Sequence, residues 1–211
     1  MSKSLFDAAE AAHFQQAQPL AARMRPQTLD EFVGQQHLLG DGKLLRRLLK
    51  ADRLGSVILF GPPGTGKTTL ARLLARASSS EFRQISAVTE GVKELREILR
   101  AARDRLASGG GKTLLFVDEI HRFNKAQQDA LLPDVEEGIV TLVGATTANP
   151  FFSVISALVS RSQIFQFEPL NVDDIKTLLR RALRNPQRGL GRHDVRLTDA
   201  ALEFLAQVCD G

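Results

Sequence analysis

The sequence has no tryptophan and no tyrosine, and all 12 aromatic residues are phenylalanines. Stacking platforms that grip single-stranded nucleic acid are therefore poorly supplied. Cys209 is the only cysteine, so no internal disulfide can form. A zinc site would lack thiolates, and the 4 histidines show no ligand spacing. No apolar run approaches the roughly 18 residues of a membrane span. Met1 to Gln18 lacks the basic stretch and apolar core of a secretory signal. Neither sign of charge dominates: 28 Lys and Arg face 24 Asp and Glu, a net +4. That excess permits an anionic partner without demanding one. With 43% hydrophobic and 25% charged residues, the chain is neither disordered nor fibrous. These absences describe a soluble, cytoplasmic globular protein.

At about 150 residues per domain, the 211 residues hold one domain and part of a second. Residues 1–20 are polar and Ala/Gln-rich and read as a weakly ordered arm. Thr28-Leu29-Asp30-Glu31 fits a capping box before a short helix. Leucines at 44, 45, 48 and 49 make a helical stripe over Lys43 to Leu54. Ser56 to Phe60 is an apolar run bounded by Gly55 and Gly61, as for a strand buried on both faces. A helix follows over Thr68 to Ala77, then a strand over Phe82 to Ile85. Thr89 is the expected N-cap of a helix reaching Ala107, which Gly109 to Gly111 end. Thr113 to Val117, Ile139 to Val143 and Gln163 to Phe167 read as further strands. Ala126 to Leu132 reads as a helix that Pro133 disturbs, and Val154 to Val159 is a helical stretch. Strands alternating with helices predict an α/β fold with a parallel sheet covered on both faces. Beyond a boundary near Glu168, Val172 to Leu183 and Thr198 to Val208 are helical with no strand between them.

Gly61-Pro62-Pro63-Gly64-Thr65-Gly66-Lys67-Thr68 matches the phosphate-loop pattern G-x-x-x-x-G-K-[ST], and it lies between a strand and a helix start. Its glycines let backbone N–H groups turn toward phosphate oxygens, which the helix N-terminus also favours. The expected nucleotide set runs from Gly61, Pro62, Pro63, Gly64, Thr65 and Gly66 to Lys67, Thr68 and Thr69. Lys67 would reach the terminal phosphates of ATP, and Thr68 would hold Mg²⁺. Such a loop needs an acid at the end of a neighbouring buried strand. Asp118 and Glu119 close the run Leu114 to Val117. Asp118 would coordinate Mg²⁺, and Glu119 would act as general base on the attacking water. At the end of the next strand, Thr146, Thr147 and Asn149 offer hydroxyl and amide groups. Thr147, ahead of Asn149, would sense the γ-phosphate; an ordinary strand-to-loop turn is the alternative. Ser160-Arg161-Ser162 carries an arginine that sequence alone reads as a surface residue. His121, close behind the acidic pair, reads as structural or positioning.

These elements, in this order, resemble an AAA+ ATPase of the clamp-loader clade, a P-loop NTPase with a three-layer parallel sheet followed by an all-helical lid. Pro19 to Gln36 is similar to that clade's adenine-site segment, which implies Val33 and Gly34 beside the base. Ser160-Arg161-Ser162 resembles its Ser-Arg-Cys motif, which implies that Arg161 reaches the nucleotide of a neighbouring subunit. Ser86 to Arg96, Asp118 to Pro133 and Gly144 to Pro150 resemble the replication-associated recombination protein A family, relatives of the eukaryotic Werner helicase interacting protein. The resemblance implies an Mg²⁺-dependent ATPase acting on DNA at stalled replication forks, nucleoid-associated in the cytoplasm. It also implies a single-stranded DNA-binding protein as partner and a homotetramer for the full-length form. By the same pattern, residues 21–168 form the nucleotide-binding core and 171–211 a partial lid. A second sensor arginine and an oligomerisation domain would lie beyond Gly211, leaving this shorter chain monomeric or weakly associating.

Two basic stripes could meet a phosphate backbone. One is Lys43, Arg46, Arg47 and Lys50. The other is Lys93, Arg96, Arg100 and Arg103, where pairing of Lys93 with Glu97 and Arg100 with Asp104 would instead make a solvated face. Two other functions fit the same motifs: a clamp-loader subunit or branch-migration motor, and a nucleotide-gated binding module with incidental hydrolysis.

Overall fold

The computed structural model describes residues 18–51 and 53–209. Most of the arm expected over 1–20 lies outside the described residues. Two compact units are present: residues 28–170, and the described residues 18–27 with 171–209.

In chain order the elements are α1 (Leu20–Arg23), a 3₁₀ turn (Leu29–Glu31), α2 (Gln36–Leu39), α3 (Leu44–Lys50), β1 (Ser56–Phe60), α4 (Lys67–Ala77), β2 (Glu81–Ser86) and α5 (Val92–Ala107). Then come β3 (Thr113–Asp118), a 3₁₀ turn (Ile120–Arg122), α6 (Lys125–Asp129), α7 (Leu132–Glu136), β4 (Val140–Thr146), α8 (Pro150–Ser153), α9 (Ser156–Val159) and β5 (Ser162–Gln166). The last two helices are α10 (Val172–Arg184) and α11 (Asp199–Val208).

The five strands form one parallel sheet in the order β2-β3-β4-β1-β5. Period-two alternation sends side chains to two faces. Val57, Leu59, Leu114, Phe116, Val143 and Ala145 pack with Leu70 and Leu74 of α4 on one face. Ile58, Leu115, Val117, Val140 and Leu142 pack with Leu95, Leu99 and Ala102 of α5 on the other. Both faces are covered, which is why β1 and β3 read as continuous apolar runs.

Several local expectations change. Gly91, not Thr89, is the N-cap of α5, and the Glu94 carboxylate accepts from the Gly91 N–H at 2.9 Å. The Glu90 carboxylate instead accepts from the Ser86 N–H at 2.8 Å, so Thr89 falls inside a tight turn. Pro133 does not disturb one helix but helps open a second, α7, within whose first two positions it lies. There its missing N–H costs no intrahelical bond. Asn124 caps α6, accepting from Gln127 N–H at 2.9 Å.

In the other unit, Asn171 and Asp174 form a capping box on α10, and Thr198 caps α11. Lys176 of α10 donates to Glu203 of α11.

Candidate functional site

Strands β1, β3 and β4 run parallel, so the segments leaving their C-terminal ends emerge at one sheet edge. From β1 comes the phosphate loop. Gly61 has φ 153°, and a Cβ there would lie 2.4 Å from the Phe167 carbonyl oxygen. Gly66 has φ 96°, with the Phe32 ring 2.8 Å from an added Cβ. Thr65 Oγ1 donates to the Pro62 carbonyl at 2.9 Å and is buried. Lys67 Nζ donates to the carbonyls of Gly61 and Pro62 at 2.7 and 2.6 Å. Burial pushes the Lys67 ammonium below its ordinary range, while Glu119 and Asp118 oppose that shift.

From β3 come the two carboxylates. Strand β4 lies between β1 and β3, so the acids do not end an adjacent strand as expected. That places the end of β4 between the phosphate loop and the carboxylates, and the Gly61 N–H donates to the Thr146 carbonyl at 3.1 Å. Burial, then Glu119, raises the Asp118 carboxyl above its ordinary range. Glu119 has φ 52°, a left-handed conformation costly for a residue with a Cβ.

Glu119 Oε2 is held from three sides. The Thr147 N–H and hydroxyl donate to it at 3.4 and 3.3 Å, and His121 Nδ1 is 3.1 Å away. Asn149 is used differently: its Oδ1 accepts from the Phe151 N–H at 3.0 Å as the cap of α8. Of the two sensor candidates, only Thr147 touches Glu119.

Val33 and Gly34 precede Gln35, whose buried side chain is hydrogen-bonded to the backbone of Glu168 just past β5. Nothing in the sequence singled out Gln35. Arg161 lies past α9 with its guanidinium bonded to Glu136 at 2.7 Å and to the Ala157 carbonyl at 3.0 Å.

The basic stripes divide. Arg103 Nε and Nη2 donate to Asp134 at 2.6 and 3.0 Å, and Asp134 is only 2% exposed. Arg103 is thereby withdrawn from the expected DNA-binding set, because its fork neutralises a buried carboxylate. Arg46 is likewise bound, to Asp30 at 2.6 Å. Lys93, Arg96 and Arg100 are exposed and have no ion-pair partner among the described residues, so the expected Glu97 and Asp104 pairs are not formed.

No helix among the described residues is long and apolar enough to cross a membrane. Those residues also hold no cluster of three or more His, Cys, Asp or Glu able to cage a metal. The Asp118 and Glu119 carboxylates both act on the Lys67 ammonium, so hard oxygen donors lie beside the phosphate loop. Few protein oxygens of hard character suit Mg²⁺, which keeps water and phosphate ligands. The glycine cradle and the desolvated Lys67 ammonium suit a polyphosphate.

Residues 57–170 match the family model described as the ATPase family associated with various cellular activities (AAA). The chain is 50% identical over 194 residues to Replication-associated recombination protein A of Escherichia coli, covering 92% of this chain and 43% of that protein. It is 44% identical over 193 residues to ATPase WRNIP1 of Dictyostelium discoideum, covering 92% and 22%. Its fold matches the Thermotoga maritima RuvB Holliday junction branch migration motor with a TM-score of 0.68, 31% identity, and 87% and 59% coverage. The chain thus spans less than half the length of these curated relatives.

Proposed function

The chain belongs to the AAA family of ATPases, and we propose that it supplies the ATP-hydrolysing core of a protein that acts on DNA at stalled replication forks. The observation that carries the catalytic half is the meeting of Lys67, Asp118, Glu119 and Thr147 at one sheet edge. Gly61 to Thr69 form the phosphate loop, whose backbone N–H groups from Gly64 onward bind the phosphates together with the Lys67 ammonium. Val33 and Gly34 flank the base, and Thr68 and Asp118 hold Mg²⁺. When bound, Mg²⁺ neutralises charge on the phosphate oxygens. Glu119 takes a proton from the attacking water, and the described hydrogen bonds and ion pair of its side chain fall on Oε2, which leaves Oε1 for that proton. Thr147 links the base to the end of β4 and serves as the first sensor. Arg161 acts in trans after release from Glu136.

The DNA half is supported by the relatives' names and by the unpaired cations Lys93, Arg96 and Arg100. Contact is with the backbone, so it weakens with salt. A homotetramer, a single-stranded DNA-binding protein as partner and a cytoplasmic, nucleoid-associated location complete the reading. The test is Mg²⁺-dependent ATP turnover with and without forked DNA at increasing salt. DNA should raise turnover at low salt and lose that effect as salt rises. Turnover indifferent to DNA, with no DNA binding at low salt, contradicts the DNA half and leaves the hydrolytic half standing.

A further inference from the structure

Beyond the motif residues, His121 ties two strand ends together. Its Nδ1 is 3.1 Å from Glu119 Oε2, past the end of β3, and 2.9 Å from Thr146 Oγ1, at the end of β4. The Thr146 hydroxyl also accepts from the Ala148 N–H at 3.0 Å and faces the Ala148 carbonyl at 3.2 Å. These contacts decide the tautomer. A bare Nδ1 would set a lone pair against the Glu119 carboxylate. With a proton on Nδ1, every group is satisfied: the imidazole donates toward Glu119 and Thr146, and Thr146 donates its single proton to the Ala148 carbonyl.

We propose that His121, through an Nδ1–H shared between Glu119 and Thr146, is a positioning residue that aims the catalytic carboxylate and locks it to the strand end carrying the γ-phosphate sensor. This rests on Glu119 being the base. His121 touches no reacting atom. It fixes which Glu119 oxygen is occupied, since its bond and both Thr147 bonds fall on Oε2. The left-handed backbone at Glu119 has few ways to relax, so a lost side-chain tether lets the carboxylate swing about its own torsions instead. Through Thr146, whose carbonyl accepts from Gly61 N–H, the same clamp joins the base to the first residue of the phosphate loop.

The geometry separates two conservative replacements. Asparagine places its amide N–H near the position of Nδ1, whereas glutamine reaches toward that of Nε2. His121→Asn should keep turnover within about 3-fold of the parent, while His121→Gln and His121→Ala lose about 10- to 100-fold in kcat, the scale of a misaimed catalytic group. ATP KM should be unchanged in all three, because the His121 side chain itself bonds only Glu119 and Thr146, and the Thr146 carbonyl keeps its backbone bond to Gly61 in every variant. Independently of nucleotide, ¹⁵N NMR of the imidazole should find the proton on Nδ1 in the parent. Thermal melts check that each variant folds. A bare Nδ1, or His121→Gln turning over like the parent, overturns the proposal, as does His121→Asn failing as badly as His121→Gln in a folded protein. Glu119→Gln, run alongside, tells the failures apart. If it is inactive while His121→Gln is active, only the clamp falls; if it is fully active, the assignment of the base falls and the clamp with it.

Discussion

Gln35 and Glu168 lie 133 positions apart, and the side-chain amide of the first closes on both backbone groups of the second. Nε2 donates to the Glu168 carbonyl at 2.6 Å, and Oε1 accepts from the Glu168 N–H at 3.0 Å. Gln35 is 5% exposed and holds φ at 53°, so this pair fixes the Val33-Gly34 segment against the end of β5.

Gln35→Ala should therefore lose both bonds and strand two backbone groups. The expected cost is about 1–3 kcal/mol in urea unfolding, the scale of buried groups left unsatisfied. ATP affinity should fall in parallel, because the proposed base site loses its anchor. A fluorescence titration and an unfolding curve, both matching the parent, would refute the clamp.

The α5 stripe should split by function. Arg103→Ala leaves the Asp134 carboxylate buried and unpaired, so the urea midpoint should drop. Arg96→Ala/Arg100→Ala should leave the midpoint unchanged. The double change should instead weaken DNA binding and flatten its salt dependence, lowering the log–log slope by about 1–2. Equal stability losses in both variants, with DNA affinity untouched, would show the stripe to be a solvated face.

Acid should find the Lys176–Glu203 pair. The hydrogen bond from Lys176 holds the Glu203 carboxyl below its ordinary 4.5, and the bond to Glu203 holds the ammonium above 10.5. The carboxylate's contribution is complete above pH 4.5 and lost as pH falls through the lowered value. The ammonium's contribution is complete below pH 10.5 and lost as pH rises through the raised value. The stability gap between parent and Glu203→Gln should be constant near neutrality and close in acid. A gap independent of pH would mean that Glu203 acts through packing.

Much of this was legible because some physics is local. The phosphate loop is contiguous, and its flanking strand and helix are fixed by apolar pattern, so Lys67, Thr68, Asp118 and Glu119 can be singled out from their neighbours alone. The order of strands was not legible: β1 and β3 are separated by β4, which comes after both in the chain. Arg103 looked like a phosphate ligand because its carboxylate, Asp134, lies 31 positions away. At Asn149 the sequence does not separate a cap from a sensor, because both use the same amide; its Oδ1 caps the short helix that begins at Pro150. Gln35 gave no signal, since neither a left-handed glutamine nor its distant partner can be read from neighbours.

Lys67 should show function set against stability. Its ammonium is desolvated and depressed, so the folded state carries a cation that it disfavours. Lys67→Met should lose ATP binding while melting no lower than the parent. A clear drop in melting temperature would mean that the bonds to Gly61 and Pro62 outweigh the desolvation.

In the proposed reaction Glu119 is the base and not a contributor to binding. Single-turnover ATP hydrolysis by Glu119→Gln, beside a nucleotide-binding titration, tests it most directly. ATP affinity close to the parent's, with hydrolysis reduced by about 10²- to 10⁴-fold, is the expected result for loss of a general base. Hydrolysis at the parent's rate would contradict it.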